Sequence, residues 1–454
     1  MANQTQGTDR TFPHLLANTL VSGVTSTFVW FSVTFWVFLE THSVVATGVI
    51  AGMFTISAAV LGPVFGTFVD RHRKHTAMVA ATAVAALCFA LATFVYASAD
   101  SSELLRLNNP RFWVLVAATL VGAVAGQLRG IALSTCVTLL VPEDRRARAN
   151  GMVGTVTGLS FALTSVFSGL AVGGLGMGWS YLIALVLMTL ALVDLVSIRF
   201  DEATPEAAAE DHQPMVDVRG ALEAIRAVPG LLALMLLAAF NNLLAGVFMA
   251  LMDSYGLSLV SVETWGLLFA FISLAFIGGG MVVARRGVGR NPLRVILTAN
   301  LVNWTVCSVF AVRSSIVLLS IGMVVWLALI PVIEASEQTV LQRSIPFERQ
   351  GRVFGFAQFM ENAAAPLTAF LMAPLAEAVF MPTMTDGLGA DLIGSWFGTG
   401  PQRGIALMFT LAGLIGVAVT LIARASRTLR QLDVPIEDAP VAELGAGAAV
   451  PIAA

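Results

Sequence analysis

Twelve apolar runs, each long enough to cross a bilayer, constrain this chain more than any other feature. They lie at about 12–39, 44–69, 76–98, 112–141, 149–173 and 179–198, and again at 231–255, 265–284, 293–311, 316–340, 353–380 and 404–423. About 20 apolar residues make a helical span, whereas a membrane β-strand needs about ten in strict alternation. The runs lack that alternation, so helices are the spanning element. A composition 57% hydrophobic and 12% charged excludes a soluble domain, in which apolar residues make up roughly 45–50%. The expected fold is an all-α polytopic membrane protein of about 12 transmembrane helices.

The basic residues give the orientation. Of 25 Lys and Arg, twenty fall on the side that holds both termini, four (Arg106, Arg111, Arg313, Arg403) on the other, and Arg129 inside a span. Such an excess marks the cytoplasmic face, so both termini are expected in the cytoplasm and the protein in the plasma (inner) membrane. The first run is too long for a signal sequence. Cys88, Cys136 and Cys307 lie far apart in apolar runs and read as packing residues. The five histidines, His14, His42, His72, His75 and His212, stand at span ends or in loops. An intramembrane enzyme is therefore not expected, nor a metal or cofactor site. The glycine-rich run 398–404 follows no strand, which argues against a nucleotide site and an ATP-driven pump. No nucleic-acid partner is expected.

The two halves repeat. VPEDRRARANG at 141–151 echoes IPFERQGRVFG at 345–355, with the proline, two arginines and the final glycine in register. The boundaries that follow are a six-helix half at 1–198, a cytoplasmic linker at 199–228, a second six-helix half at 229–423 and a tail at 424–454 expected to be disordered. The linker is rich in Ala, Pro and acids (Glu202, Glu206, Glu210, Asp211) and ends in a short amphipathic piece at 217–228.

Between the second and third runs stands GTFVDRHRK, residues 66–74. Asp70 there ends a helix whose dipole disfavours it, so it needs a partner on another element. The stretch resembles the helix 2–3 loop of major facilitator superfamily transporters, G-x-x-x-D-R-x-G-R-K. Gly66, Asp70, Arg71 and Lys74 match, and Arg73 stands where the family has its second glycine. The resemblance implies that Gly66, Asp70, Arg71, Arg73 and Lys74 form a gate that latches the cytoplasmic side while the transporter faces outward. Gly280, Arg285 and Gly287 form a worn copy, with Ala284 in place of Asp70. Parallel six-helix repeats are the architecture of this superfamily. Segments 141–151, 351–355 and 398–404 and Pro366 resemble the drug-exporting branch that includes macrolide-efflux transporters and the enterobactin exporter. The proline of that branch's fifth span is missing from TSVFSG at 164–169.

An ionisable side chain inside a span costs about 2.5–3.5 kcal/mol even on lenient scales, so each is a functional candidate. Arg129 lies in span 4 beside Gly126 and Gly130. Glu334 and Glu337 share a face of span 10 at spacing i, i+3. The offset of 204 between Pro142 and Pro346 maps Arg129 to position 333. The resemblance lines the central cavity with spans 1, 4, 7 and 10, so a charge pair between Arg129 and Glu334 or Glu337 is expected, either as a transport site or as a permanent structural pair. Glu361 in span 11 is a second proton candidate. Asn242 and Asp253 share a face of span 7, Asp253 near its outer end as a gate or an interfacial acid. Asp194 reads as solvated; Phe28, Trp30, Phe31, Phe35 and Trp36 offer a stack for a flat apolar drug, but lipid-facing or interfacial packing is expected for most of them. Together these imply a monomeric secondary transporter exporting lipophilic small molecules, a cationic substrate being one option, by proton-coupled alternating access. The alternative is a dedicated exporter of a siderophore or other endogenous metabolite.

Overall fold

The computed structural model describes residues 2–41, 44–99, 104, 109–198, 200, 202 and 217–432, and these are helical apart from short connections. Each apolar run holds one long helix, which in the fifth and eleventh runs stops short of the end of the run. They are α1 (Ala2–Thr41), α2 (Val44–Arg71), α3 (Lys74–Ala97), α4 (Pro110–Leu140), α5 (Glu143–Leu170) and α6 (Met177–Ser197). The second set is α7 (Leu231–Leu257), α8 (Val262–Arg286), α9 (Pro292–Val309), α10 (Ile316–Ser344), α11 (Gln350–Leu375) and α12 (Pro401–Ala425). Nine of them are long and apolar enough to cross a membrane by length and composition among the described residues. The other three, α5, α9 and α11, pack into the same bundle. Local chemistry sets several starts. Asn109 Oδ1 accepts from Arg111 N–H at 3.0 Å ahead of α4, and Ser315 Oγ accepts from Leu318 N–H at 3.3 Å ahead of α10.

The packing has a six-helix period. α1 packs on α5 and α6 as α7 packs on α11 and α12; α3 packs on α4 and α6 as α9 packs on α10 and α12. Between the sets, α2 lies along α11 and α5 along α8, which are equivalent pairs under the same shift. One apolar core runs through both sets near the face that carries the arginine-rich connections, here called the basic face, and includes Val69, Ala132, Leu341 and Val353. Toward the opposite face the core divides into one cluster from α1–α6 and another centred on α7–α12. The two sets are thus joined at the basic face.

Several expectations are corrected. The eleventh run does not continue as one helix to residue 380: α11 ends in a wide π turn at Ala376–Phe380, and two short helices, Met381–Thr385 and Leu388–Phe397, precede α12. Pro382 and Gly387 supply the breaks. Of the tail, residues 433–454 lie outside the described residues, and its first residues, 424–432, are ordered. α12 runs to Ala425, Ser426 caps a turn at Arg427–Arg430, and Leu429 is buried. Within the linker, Asp217 caps a helix at Val218–Ala227 by accepting from Gly220 N–H at 2.7 Å; Glu206, Glu210, Asp211, His42 and His212 lie outside the described residues. Phe28, Trp30 and Trp36 do not face lipid but are buried, Trp30 stacked on Phe54 at 5.1 Å between centroids. The close packing of α1 on its neighbours gives these rings more contact than lipid tails would.

Candidate functional site

The gate residues close on the N-terminus of α11. Gly62 and Gly66 on α2 face Gly355 and Gly351 on α11, and a Cβ on any of the four would collide with backbone of the opposite helix. Small residues at spacing i, i+4 on both helices permit this backbone approach. It brings Asp70 Oδ1 within 2.6 Å of Gly351 N–H and Oδ2 within 2.9 Å of Arg352 N–H and 3.0 Å of Arg352 Nε. Asp70 therefore finds its partner at a helix N-terminus, where the dipole favours an anion. Arg352 also donates through Nη1 to Asp217, whose backbone N–H donates to Thr67 Oγ1 at 3.2 Å. Lys74, the chain's single lysine, is buried with its Nζ 3.8 Å from Glu202 and 4.8 Å from the Phe347 ring centroid. Arg71 is half-buried and Arg73 exposed. Arg73 precedes α3 with φ −57° and ψ 132°, so the connection needs no glycine there.

Further bonds join the sets. Asn150 on α5 and Gln342 on α10 pair through both amides, at 2.9 and 3.2 Å, and Gln358 donates to Gln127 at 2.7 Å. Arg343 meets Glu143 at 3.0 Å.

Arg129 does not pair with Glu334 or Glu337. Its guanidinium stays within the first set, with Nη1 donating to Thr82 Oγ1 at 2.6 Å and Nη2 to Asn18 Oδ1 and, at 3.3 Å, to Thr19 Oγ1. Its Nε is buried without a partner. Asn18 passes the chain on, donating to Asp194 Oδ2 at 2.6 Å, while His14 lies 2.9 Å from Asp194 Oδ1. Asp194 is thus half-exposed and bonded, not simply solvated. The neutral oxygens of α1 and α3 hold Arg129 in place, and no carboxylate pairs with it among the described residues.

Glu334, Glu337 and Glu361 do converge. They line one cavity of 130 Å³ enclosed by α7, α9, α10 and α11, with Asn242, Asn300, Trp304 and Trp326 in its wall. No Arg, Lys or His lines it among the described residues. Glu337 is buried and its Oε1 has no hydrogen-bond partner, Glu361 is half-buried, and Glu334 is exposed, so the cavity is open. Asp253 is elsewhere: exposed near the end of α7, it accepts from Trp265 Nε1 at 3.0 Å.

Sequence reasoning missed Asn300 and Asn303, whose side chains carry buried unpaired Nδ2 and Oδ1 atoms. Their i, i+3 spacing inside an apolar run was the available signal. It also missed Arg352, which a count of positive charges treats as one more cytoplasmic arginine.

The sequence model of the Major Facilitator Superfamily matches residues 15–369. Macrolide efflux protein A of Streptococcus pyogenes is 19% identical over 431 residues, which span 93% of this chain and 97% of that protein. The human organic anion transporter MFSD10 (TETRAN) superposes with a TM-score of 0.66 at 15% identity, covering 91% of this chain and 99% of that one. A bacterial homologue of the iron transporter ferroportin, in an outward-facing state, gives 0.64 at 13% identity over 92% and 100%. The proton:xylose symporter XylE gives 0.65 at 11% over 93% and 98%. At these identities the structural likenesses establish the fold alone.

Proposed function

The chain belongs to the major facilitator superfamily and is a transporter, not an enzyme, and on that footing we propose that it exports lipophilic organic cations in exchange for protons. The observation that carries this reading is the cavity in which Glu334, Glu337 and Glu361 meet without a basic residue among the described lining. Carboxylates gathered at membrane depth call for a cation or protons to offset them. Trp304 and Trp326 in the same wall offer flat apolar faces, on which a cationic aromatic body gains dispersion and cation–π contact. A site that holds either the substrate cation or protons, with one displacing the other, couples their opposite movements.

The contacts at the basic face supply the gate in this scheme. Alternation requires the glycine seam of α2 and α11 to part, together with its α5–α8 counterpart, which breaks the Asp70–Arg352 bonds. Arg129 acts as a fixed charge that organises α1, α3 and α4 in the first set. The orientation proposed places the basic face and both termini in the cytoplasm of a monomer in the inner membrane. The relative named macrolide efflux protein A is consistent with the outward direction. A second reading, export of a self-made siderophore or other metabolite, is favoured by the asparagines of the cavity, which suit a polar, hydrogen-bonding cargo.

Ethidium efflux from cells expressing the chain, with and without a proton ionophore, tests the proposal. Ionophore-sensitive efflux is expected, and Glu337→Gln and Glu361→Gln should each abolish it at unchanged expression. Efflux that survives both substitutions would remove the acid cavity from the mechanism. No efflux from well-expressed wild type would leave the metabolite reading in its place.

A further inference from the structure

Away from the acid cavity, the ends of α9 and α12 on the basic face enclose a groove of 430 Å³ whose rim carries Arg294, Arg424 and Arg430. We propose that this groove binds the phosphate headgroup of an anionic phospholipid, whatever the transported substrate.

Three observations meet there. First, the lining is cationic: three arginines and Thr298 stand over a floor that includes buried Leu297 and Leu429, and no carboxylate lines it among the described residues. Arg424 has no hydrogen-bonding or ion-pair partner for its guanidinium among the described residues, while Arg430 folds back so that its Nε donates to the Arg424 carbonyl at 3.4 Å.

Second, the groove lies where exposed apolar stripes end. On α9, Val302 and Val309 are 44% and 49% exposed and continue the face of Arg294 and Thr298 at helical spacing. On α12, Leu421 and Leu414 are 49% and 52% exposed and lead to Arg424. A headgroup in the groove would lay its acyl chains along these stripes.

Third, simpler accounts of the charge fall short. A helix C-terminus favours Arg424 and Arg430, but Arg294 stands in the first turn of α9, where the dipole opposes a cation. The preference for arginine on one membrane face sets the number of charges on that face and does not gather three of them around one cavity. Guanidinium groups suit phosphate because the planar fork matches its oxygens, and basic pockets between spanning helices are a recognisable form of headgroup site. One lipid there would bridge α9 to α12.

The full-length protein in phosphatidylcholine nanodiscs doped with phosphatidylglycerol provides the test, with retained lipid counted by native mass spectrometry. Preferential retention of phosphatidylglycerol is expected. It should fall about fivefold for each of Arg294→Gln, Arg424→Gln and Arg430→Gln. Arg427→Gln, the same change of charge on an exposed neighbour outside the groove, should leave retention unchanged. If a glutamine variant does not fold, its lysine counterpart keeps the charge without the fork and should still lose more lipid than Arg427→Gln. Equal losses at Arg427 and the groove arginines would reduce the effect to diffuse surface charge and overturn the site. Stabilisation by inorganic phosphate in pure phosphatidylcholine discs equal to that by phosphatidylglycerol would assign the groove to a soluble anion and overturn the lipid.

Discussion

Asp70 accepts from both the backbone N–H and the Nε of Arg352, at 2.9 and 3.0 Å, so one carboxylate holds the first turn of α11 and a guanidinium on it together. Both residues are buried, and Arg352 reaches on to Asp217 at the head of the linker helix. Removing one partner from a buried pair leaves the other charge uncompensated, at a cost of about 3–5 kcal/mol. Asp70→Asn is therefore predicted to loosen the basic face. Hydrogen exchange of the amides at the start of α11 should quicken at least about tenfold. Exchange at the wild-type rate would mean that the glycine seam alone holds the two sets together.

That seam makes a separate prediction. A methyl group at Gly66 would meet the Gly351 carbonyl and the Arg352 backbone, whereas a methyl group at Gly52 on the same helix would meet nothing within 4 Å. Overpacking of this kind costs about 1–3 kcal/mol. Gly66→Ala should lower the thermal unfolding midpoint in detergent and Gly52→Ala should not. If both variants melt alike, backbone contact between α2 and α11 is not what closes this face.

Glu337 is buried with one oxygen unpaired, in a cavity with two other carboxylates. Such a group lowers stability in exchange for function. Glu337→Gln removes the charge at nearly constant volume and is predicted to raise stability by about 1–2 kcal/mol while ending substrate export. Thermal unfolding of the two proteins in the same detergent decides it. A destabilised glutamine variant would indicate that the carboxylate has a stabilising partner and is not held in reserve for a cation.

The long elements were legible because most apolar runs are bounded by charges or prolines, and the fifth and sixth are parted by glycines at 173–178; a span needs little beyond length. The convergence of Glu334 and Glu337 was legible for a similar reason: helical spacing fixes which residues share a face. Glu361 joins them from another helix, which spacing cannot show. The partner of Arg129 was not legible either. The repeat offset places Arg129 and Glu334 at similar depth, but depth says nothing about which way a side chain turns about its helix axis. Nothing local marked Asn18 as its acceptor, because an amide in an apolar run looks the same whether it bonds to an arginine or to its own helix. Arg352 was hidden by number, one of twenty arginines and lysines assigned to the same face. Its position two residues after Gln350, at the start of α11 and beside a glycine, mattered only once α2 was seen to lie against it.

Arg129 offers the sharpest discrimination between the expected pair and the observed one. Its guanidinium is tied to Asn18 and Thr82, and Asn18 to Asp194. Groups in one hydrogen-bonded network show coupling energies of about 0.5–3 kcal/mol in double-mutant cycles, whereas separated groups add within about 0.5 kcal/mol. A cycle on unfolding free energy with Arg129→Ala and Asn18→Ala should therefore show coupling above about 1 kcal/mol. The cycle with Arg129→Ala and Glu334→Ala should show none beyond error. Arg129→Lys should rescue little, because an ammonium cannot serve Thr82 and Asn18 with the spread of a planar fork. Charge reversal gives an independent reading: Arg129→Glu combined with Glu334→Arg should not restore transport. If it does, the two side chains meet in some other conformation of the cycle, and Arg129 belongs with the acid cavity after all.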